Sequence, residues 1–381
     1  MPSDTQNTLY QAKSISPLSI PPGATVKVQI IDTTSRIHAP VGRFMTPAIK
    51  GHESLNAPAF SFLVEHPKLN RKIVFDLGLR KDWQNLPPVI VNQLTPPDWV
   101  CAVEKNVAEI LQENGINVAG GEIEAVIWSH WHFDHTGDVT TFPSSTTLIA
   151  GAGVKESLLP GYPTNPESPL SESDFVGREY KEIDFLKERT VKLGNFQGID
   201  FFKDGSFFLV DSPGHAIGHM CGLARVTSTQ EGDAEDTFVF MGADTAHHSA
   251  AIRPNAYFPL PKAIDPSPLA KRYPSACPGH IFEKFHPKKK GNEPYYELND
   301  QTPHDKKQAV HSLELMRQYD AMENVFVVIA HDDTLLDPEV GIEWFPHGSL
   351  RTWKEKGYVN RLRWAFLKDF EGALDSGSEE K

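Results

Sequence analysis

The stretch Ser129-His130-Trp131-His132-Phe133-Asp134-His135-Thr136-Gly137-Asp138 places three imidazoles and a carboxylate within six residues, directly after the largely apolar run Glu124-Ala125-Val126-Ile127-Trp128. A strand projects alternate side chains to one side, so a strand carried through this run presents His130 and His132 together. Asp134 and His135 then fall just past the strand end, where the chain turns, and can face a second ion. Neutral imidazole and carboxylate are donors that suit zinc and other first-row divalent metals. A surface histidine cluster on a loop would share this composition, so the decision rests on whether matching donors occur elsewhere.

Three more segments read as buried strands that end in a donor. Asp211-Ser212-Pro213-Gly214-His215 follows the apolar residues 207–210, and its Pro-Gly turn holds His215 at a strand end. Phe238-Val239-Phe240-Met241-Gly242-Ala243-Asp244 ends in a carboxylate, and Val325-Phe326-Val327-Val328-Ile329-Ala330-His331 ends in an imidazole. Sheets of the α/β class place their sites at such strand ends. Singly, His215 reads as a turn histidine, Asp244 as a helix N-cap and His331 as a core histidine. Jointly with the histidine run they describe a cage for two metal ions.

The remaining sequence bounds the class. With 39% hydrophobic and 23% charged residues the chain can bury a large core. Its 37 basic against 50 acidic residues leave a net charge of −13, which argues against nucleic acid. Cys101, Cys221 and Cys277 form no CxxC pair, so neither a disulfide framework nor a thiolate zinc site is expected. There is no GxSxG elbow for a serine nucleophile. No apolar leader and no membrane-length apolar stretch is seen, so the expectation is a cytoplasmic protein without a membrane partner, acting on a small molecule. Oligomeric state is left open.

Along the chain, residues 1–22 read as a flexible lead-in, residues 23–370 as one domain, and 371–381 as a disordered tail. Strands are expected at 25–31, 60–65, 72–75, 124–128, 146–150, 207–210, 221–226, 237–241 and 325–330. A helix is expected over 99–111 with Gly115 as its stop. Another starts with Thr302 as cap and Pro303 at its first position and runs to about residue 322. A Pro-rich insertion at about 250–300 reads as a cover or lid, with Tyr257, Phe258 and Phe285, and further on Trp344 and Phe345, as candidate pocket walls. Trp131 and Phe133 read as packing behind the histidine strand, and Lys288-Lys289-Lys290 as a solvated loop.

These ordered motifs resemble the metallo-β-lactamase-fold superfamily over about residues 60–335, and within it the quorum-quenching N-acyl homoserine lactonase-like branch and its fungal relatives. The resemblance implies an α/β fold, a four-layer αβ/βα sandwich with its metals at one edge. It implies that His130, His132 and His215 hold the first metal, that Asp134, His135 and His331 hold the second, and that Asp244 bridges both. Asp76, in Phe75-Asp76-Leu77-Gly78, matches an early aspartate that orients a ligand. His219 is expected to support the cluster rather than to ligate. Lactonases of this branch carry a tyrosine three residues after the bridging aspartate; here that position is His247, followed by His248.

The chemistry expected is that of a dinuclear, metal-dependent hydrolase, with two zinc ions as the first choice and iron or manganese as alternatives. A hydroxide bridging the ions opens a cyclic ester or amide. His247 or His248 helps to steady the oxyanion, and Asp134 shuttles a proton to the leaving group. The alternatives are a γ-lactamase acting on benzoxazolinone-type compounds, a thioesterase of polyketide metabolism, a phosphodiesterase, which the acidic charge disfavours, and a binding protein that has kept the fold, which seven filled donor positions disfavour.

Overall fold

The computed structural model describes residues 7–376. Its strands are β1 (Lys27–Pro40), β2 (Met45–Thr46), β3 (Ser54–His66), β4 (Arg71–Phe75), β5 (Val100–Ala102), β6 (Ala125–Ile127), β7 (Thr147–Gly151) and β8 (Tyr180–Ile183). The second half adds β9 (Val191–Leu193), β10 (Phe196–Asp200), β11 (Phe207–Asp211), β12 (Met220–Thr227), β13 (Thr237–Met241), β14 (Ala263–Ile264), β15 (Cys277–Pro278), β16 (Glu297–Leu298) and β17 (Val325–Val328). One sheet has seven strands in the order β5-β1-β3-β4-β6-β7-β8, and the other six in the order β17-β13-β12-β11-β10-β9.

Alternation of side chains explains why both sheets are buried on both faces. Phe62, Phe75 and Ile127 of the first sheet meet Phe207, Leu209, Val239, Met241 and Val328 of the second in one central core. The intervening residues point outward. Leu63, Val74, Val126 and Leu148 pack under the helix Val107–Glu113 through Val107, Ala108 and Leu111. Phe208, Val210, Phe240 and Val327 pack under the helix Lys306–Ala321 through Leu313 and Met316. The result is helix, sheet, sheet, helix: the expected four-layer α/β sandwich.

Several local expectations change. Residues 99–111 do not form one helix. Val100–Ala102 joins the sheet edge against β1, and the helix begins only at Val107, where Asn106 and Glu109 cap each other. The apolar spacing there serves two elements, because pairing with Arg36–His38 is a long-range choice. The second helix is capped by Asp305, whose carboxylate accepts from Gln308 N–H at 3.0 Å, and not by Thr302.

The expected lead-in is tied down over its described part. Leu9 N–H donates to Leu260, Lys13 N–H to Ala256, and Leu18 is buried with its N–H on the Asn324 side chain. The expected tail begins as a helix, Glu371–Ser376; residues 1–6 and 377–381 lie outside the described residues.

The insertion is a packed annex rather than a loose cover. Leu260, Ile264, Phe282 and Tyr295 are buried in the same core as Phe366 and Phe370. Phe285 stacks on Tyr295 and Phe370, and Phe258 lies under the Arg363 guanidinium, so these rings build the annex and not a pocket wall. Trp344 likewise packs on Phe60 at 5.2 Å. Lys288 and Lys290 pair with Glu293 and Glu297 on the surface.

Candidate metal centre

The donors come off the same edge of both sheets. β4 and β6 are parallel, with Phe75 opposite Ile127, so Asp76 and the Ser129–His135 run emerge side by side. β13 and β17 are also parallel, with Met241 opposite Val328, so Asp244 and His331 follow three residues beyond matched strand ends. The strand leading to the histidine run stops at Ile127, earlier than expected, and His130 and His132 stand in the loop beyond it. The chain leaves the sheet there because Ser129 N–H donates to the Asp76 carboxylate at 2.6 Å. Asp134 and His135 sit on one helical turn, Phe133–Thr136.

Two backbone features set the approach. Asp76 has φ 61° and Ala243 φ 41°, left-handed values that non-glycine residues seldom adopt. Each turns the chain sharply at a strand end next to the cluster. Gly214 has φ 120°, and a Cβ there would stand 2.0 Å from Ala309 N, so only glycine lets the turn before His215 sit on the start of the helix Lys306–Ala321.

Asp244 lies at the centre and is buried. Its Oδ2 is 3.4 Å from His215 Nε2 and 3.7 Å from His130 Nε2. Its Oδ1 is 3.0 Å from both His135 Nε2 and His331 Nε2. His132 Nδ1 faces His130 Nε2 at 2.9 Å and His215 Nε2 at 3.0 Å. Asp134 Oδ2 lies 3.5 Å from His331 Nε2. His130, His132, His215 and Asp244 thus bring donor atoms within 4.8 Å of one another, and Asp134, His135 and His331 do the same beside them.

Divalent cations fit this donor set. His135 Nε2 and Asp244 Oδ1 are buried 3.0 Å apart without the angles of a hydrogen bond between them, the arrangement of two donors turned toward a shared ion. Three imidazole nitrogens also converge on one point, where protons alone cannot satisfy every lone pair. The far sides of the rings are anchored: His135 Nδ1 on Asp76 at 2.8 Å and His331 Nδ1 on the Pro58 carbonyl at 2.6 Å. Ser129 Oγ is 3.1 Å from His130 Nδ1. Such anchoring fixes the tautomer that leaves Nε2 free to ligate. His219 donates from Nδ1 to the Ser212 carbonyl at 2.6 Å and packs on His130 and His215, behind the cluster.

Burial drives His130, His132, His215 and His219 below the usual imidazole range, His132 to about 3 and His219 to about 4. His135 and His331 move the other way: burial opposes their charge, but the Asp244 carboxylate outweighs it, helped at His135 by Asp76. These shifts give a signed expectation for metal-free protein. The four depressed rings refuse protons that the unfolded chain takes up below about pH 6.5, so they remove stability as the pH falls. The two raised rings stabilise the acid side and lose that contribution as the pH rises through their folded values. Four against two, stability falls between pH 7 and pH 5. Urea midpoints at the two pH values measure this; an unchanged or higher midpoint at pH 5 contradicts it.

His247 and His248 part company. His247 is buried with Nε2 3.3 Å from Asp244 Oδ2, inside the cluster. His248 is not in it: Nδ1 accepts from Ala250 N–H at 3.1 Å and Nε2 pairs with Asp369 at 3.0 Å, so neither nitrogen is left for a substrate. The expectation that His248 steadies an oxyanion is therefore corrected.

A small cavity beside His215, Asp244 and His247 is walled by Phe44, Leu298 and Pro303. Phe44 stands 4.8 Å from the His247 ring and 6.1 Å from Trp99, which meets Phe133 at 6.5 Å. Sequence reasoning missed Phe44 and Leu298 because β2 pairs with β16 across some 250 residues, a contact with no local signal. It missed the Pro58 carbonyl for the same reason: a backbone acceptor leaves no residue signature.

A model of the family described as the Metallo-beta-lactamase superfamily matches residues 57–227. The chain belongs to the metallo-beta-lactamase superfamily and is a hydrolase. Among its relatives, Gamma-lactamase FDB1 of Fusarium pseudograminearum (strain CS3096) is 41% identical over 362 residues, 93% of this chain and 85% of that protein. Metallo-hydrolase mfmC of Annulohypoxylon moriforme is 40% identical, over 94% and 91% of the two chains. A structure of N-acyl homoserine lactone hydrolase with the product N-hexanoyl-L-homoserine bound covers 85% of this chain and 100% of its own, at TM-score 0.51 and 17% identity, a likeness of fold. No helix among the described residues is long and apolar enough to cross a membrane.

Proposed function

We propose that the protein hydrolyses a small cyclic amide or ester at paired divalent ions, with zinc as the resident metal. The observation that carries this reading is the division of Asp244, whose Oδ2 faces His130 and His215 while Oδ1 faces His135 and His331. One carboxylate between two imidazole sets is what a bridged ion pair requires. The likeness to a γ-lactamase over most of both chains puts a cyclic amide first among substrates.

When bound, the ion pair lowers the pKa of water towards neutrality and withdraws charge from a carbonyl oxygen. The chain's own contribution is to place the donors and to move protons. Asp76 and Pro58 hold the His135 and His331 rings from behind. Phe44, Leu298 and Pro303 wall the cavity beside Asp244 and limit access of bulk water. Asp134, with one oxygen 3.5 Å from His331, takes the proton released by the attacking water and delivers it to the departing nitrogen or oxygen.

The test is a turnover screen of zinc-loaded and chelator-treated protein against small lactams, lactones and thioesters. Hydrolysis of a lactam or lactone that chelation abolishes is expected; turnover indifferent to chelation, or confined to thioesters, sinks the reading. Asp134→Asn keeps a ligating oxygen but cannot carry the proton, so kcat should fall about 10²–10⁴-fold with metal content preserved. Unchanged kcat would remove the shuttle.

A further inference from the structure

We infer that His247 is itself a ligand of the binuclear centre, entering through Nε2 beside Asp244, rather than a hydrogen-bond donor to the substrate. The inference rests on the two-metal reading above but not on the identity of the substrate.

Distance is the first argument. Nε2 of His247 lies 3.3 Å from Asp244 Oδ2, closer than His215 at 3.4 Å and His130 at 3.7 Å to that same oxygen. Donors bound about 2.0–2.2 Å from one tetrahedral ion stand about 3–3.5 Å apart. A group that only donated to a reacting oxygen would stand one hydrogen bond further out. Asp244, His247 and His331 also bring their donor atoms within 4.8 Å of one another.

Anchoring is the second argument. His135, His331 and His219 are each held from behind through Nδ1, on Asp76, Pro58 and Ser212. Nδ1 of His247 is buried and has no hydrogen-bond partner. The ring is instead sandwiched, tilted on Phe44 at 4.8 Å and parallel to the His331 ring at 5.7 Å and 13°. Apolar and ring contacts fix its plane but not its rotation, so the remaining restraint has to come from the Nε2 side. An ion there provides it.

The test uses full-length protein loaded with cobalt(II), whose visible absorption reports coordination number. His247→Phe and His247→Asn are compared with wild type for cobalt stoichiometry, affinity and spectrum, with circular dichroism to confirm folding. Loss of the ligand should weaken binding of one equivalent by ~10–100-fold or more and intensify the visible bands as that ion loses a donor. Two equivalents bound with unchanged affinity and spectrum in either folded variant, alongside a fall in kcat, overturn the inference and make His247 a substrate-facing donor. Wild type that binds no cobalt, zinc or manganese would instead bring down the two-metal reading itself. Failure of every substrate screened would leave the spectral result standing.

Discussion

Asp244→Ala should release both metal ions and lower turnover by at least ~10³-fold, because metal activation supplies several kcal/mol of transition-state stabilisation and each 1.4 kcal/mol is a factor of ten. Asp244 faces both halves, since His130 and His215 stand on one of its oxygens and His135 and His331 on the other. The effect should also be visible without substrate. The buried carboxylate is held well below the usual range: burial opposes its charge, but His331, His135 and His247 outweigh that. Removing it takes away the main attraction that raises the protonation of His135 and His331. Metal analysis after dialysis, with kcat on a substrate identified by the screen, checks both parts. A variant that keeps two equivalents and wild-type kcat would show that Asp244 is not the shared donor.

Removing the metals from the wild-type chain should cost more stability than any single surface substitution. A ligand at a thousand times its Kd that binds only the folded state contributes about 4 kcal/mol. Two such sites give about 8 kcal/mol, a melting temperature lowered on the order of 10 °C for a chain of this size. The loss should be local in origin. Asp76, Ser129, Ala243 and Asp244 hold turns at strand ends beside the donor cluster, and two of them carry left-handed φ values. Calorimetry with and without a strong chelator, followed by zinc addition, measures the shift and its reversal. An unaltered melting temperature would mean that the cluster is preorganised without ions. Acidification should act in the same direction, because protons on His135 and His331 compete with metal for the same nitrogens.

Much of this molecule is local in its sequence. Phe238–Met241 and Val325–Val328 are continuous apolar runs because both faces of their sheet are covered, and a donor follows each at the point where the sheet ends. Asp244 and His331 are therefore nameable from strand ends alone. Boundaries suffered wherever an element owes its existence to a distant partner. Val100–Ala102 is a strand only through β1, and the histidines at 130 and 132 leave the sheet early because a carboxylate at 76 captures the backbone at 129. The Pro-rich annex showed its length in the sequence but not its packing against the C-terminal rings at 366 and 370.

Neighbouring residues carry the inventory, two apolar sheets, a run of imidazoles and the carboxylates to match, because hydrophobic periodicity and donor chemistry are local properties. Long-range packing separates two adjacent histidines, sending His247 to Asp244 and His248 to Asp369. It alone put Phe44 and Leu298 at the cavity and the Pro58 carbonyl behind His331. The physical reason is direction. Which way a ring points depends on the partners its nitrogens find, and two of these, Asp369 for His248 and the Pro58 carbonyl for His331, lie more than a hundred residues away in the chain.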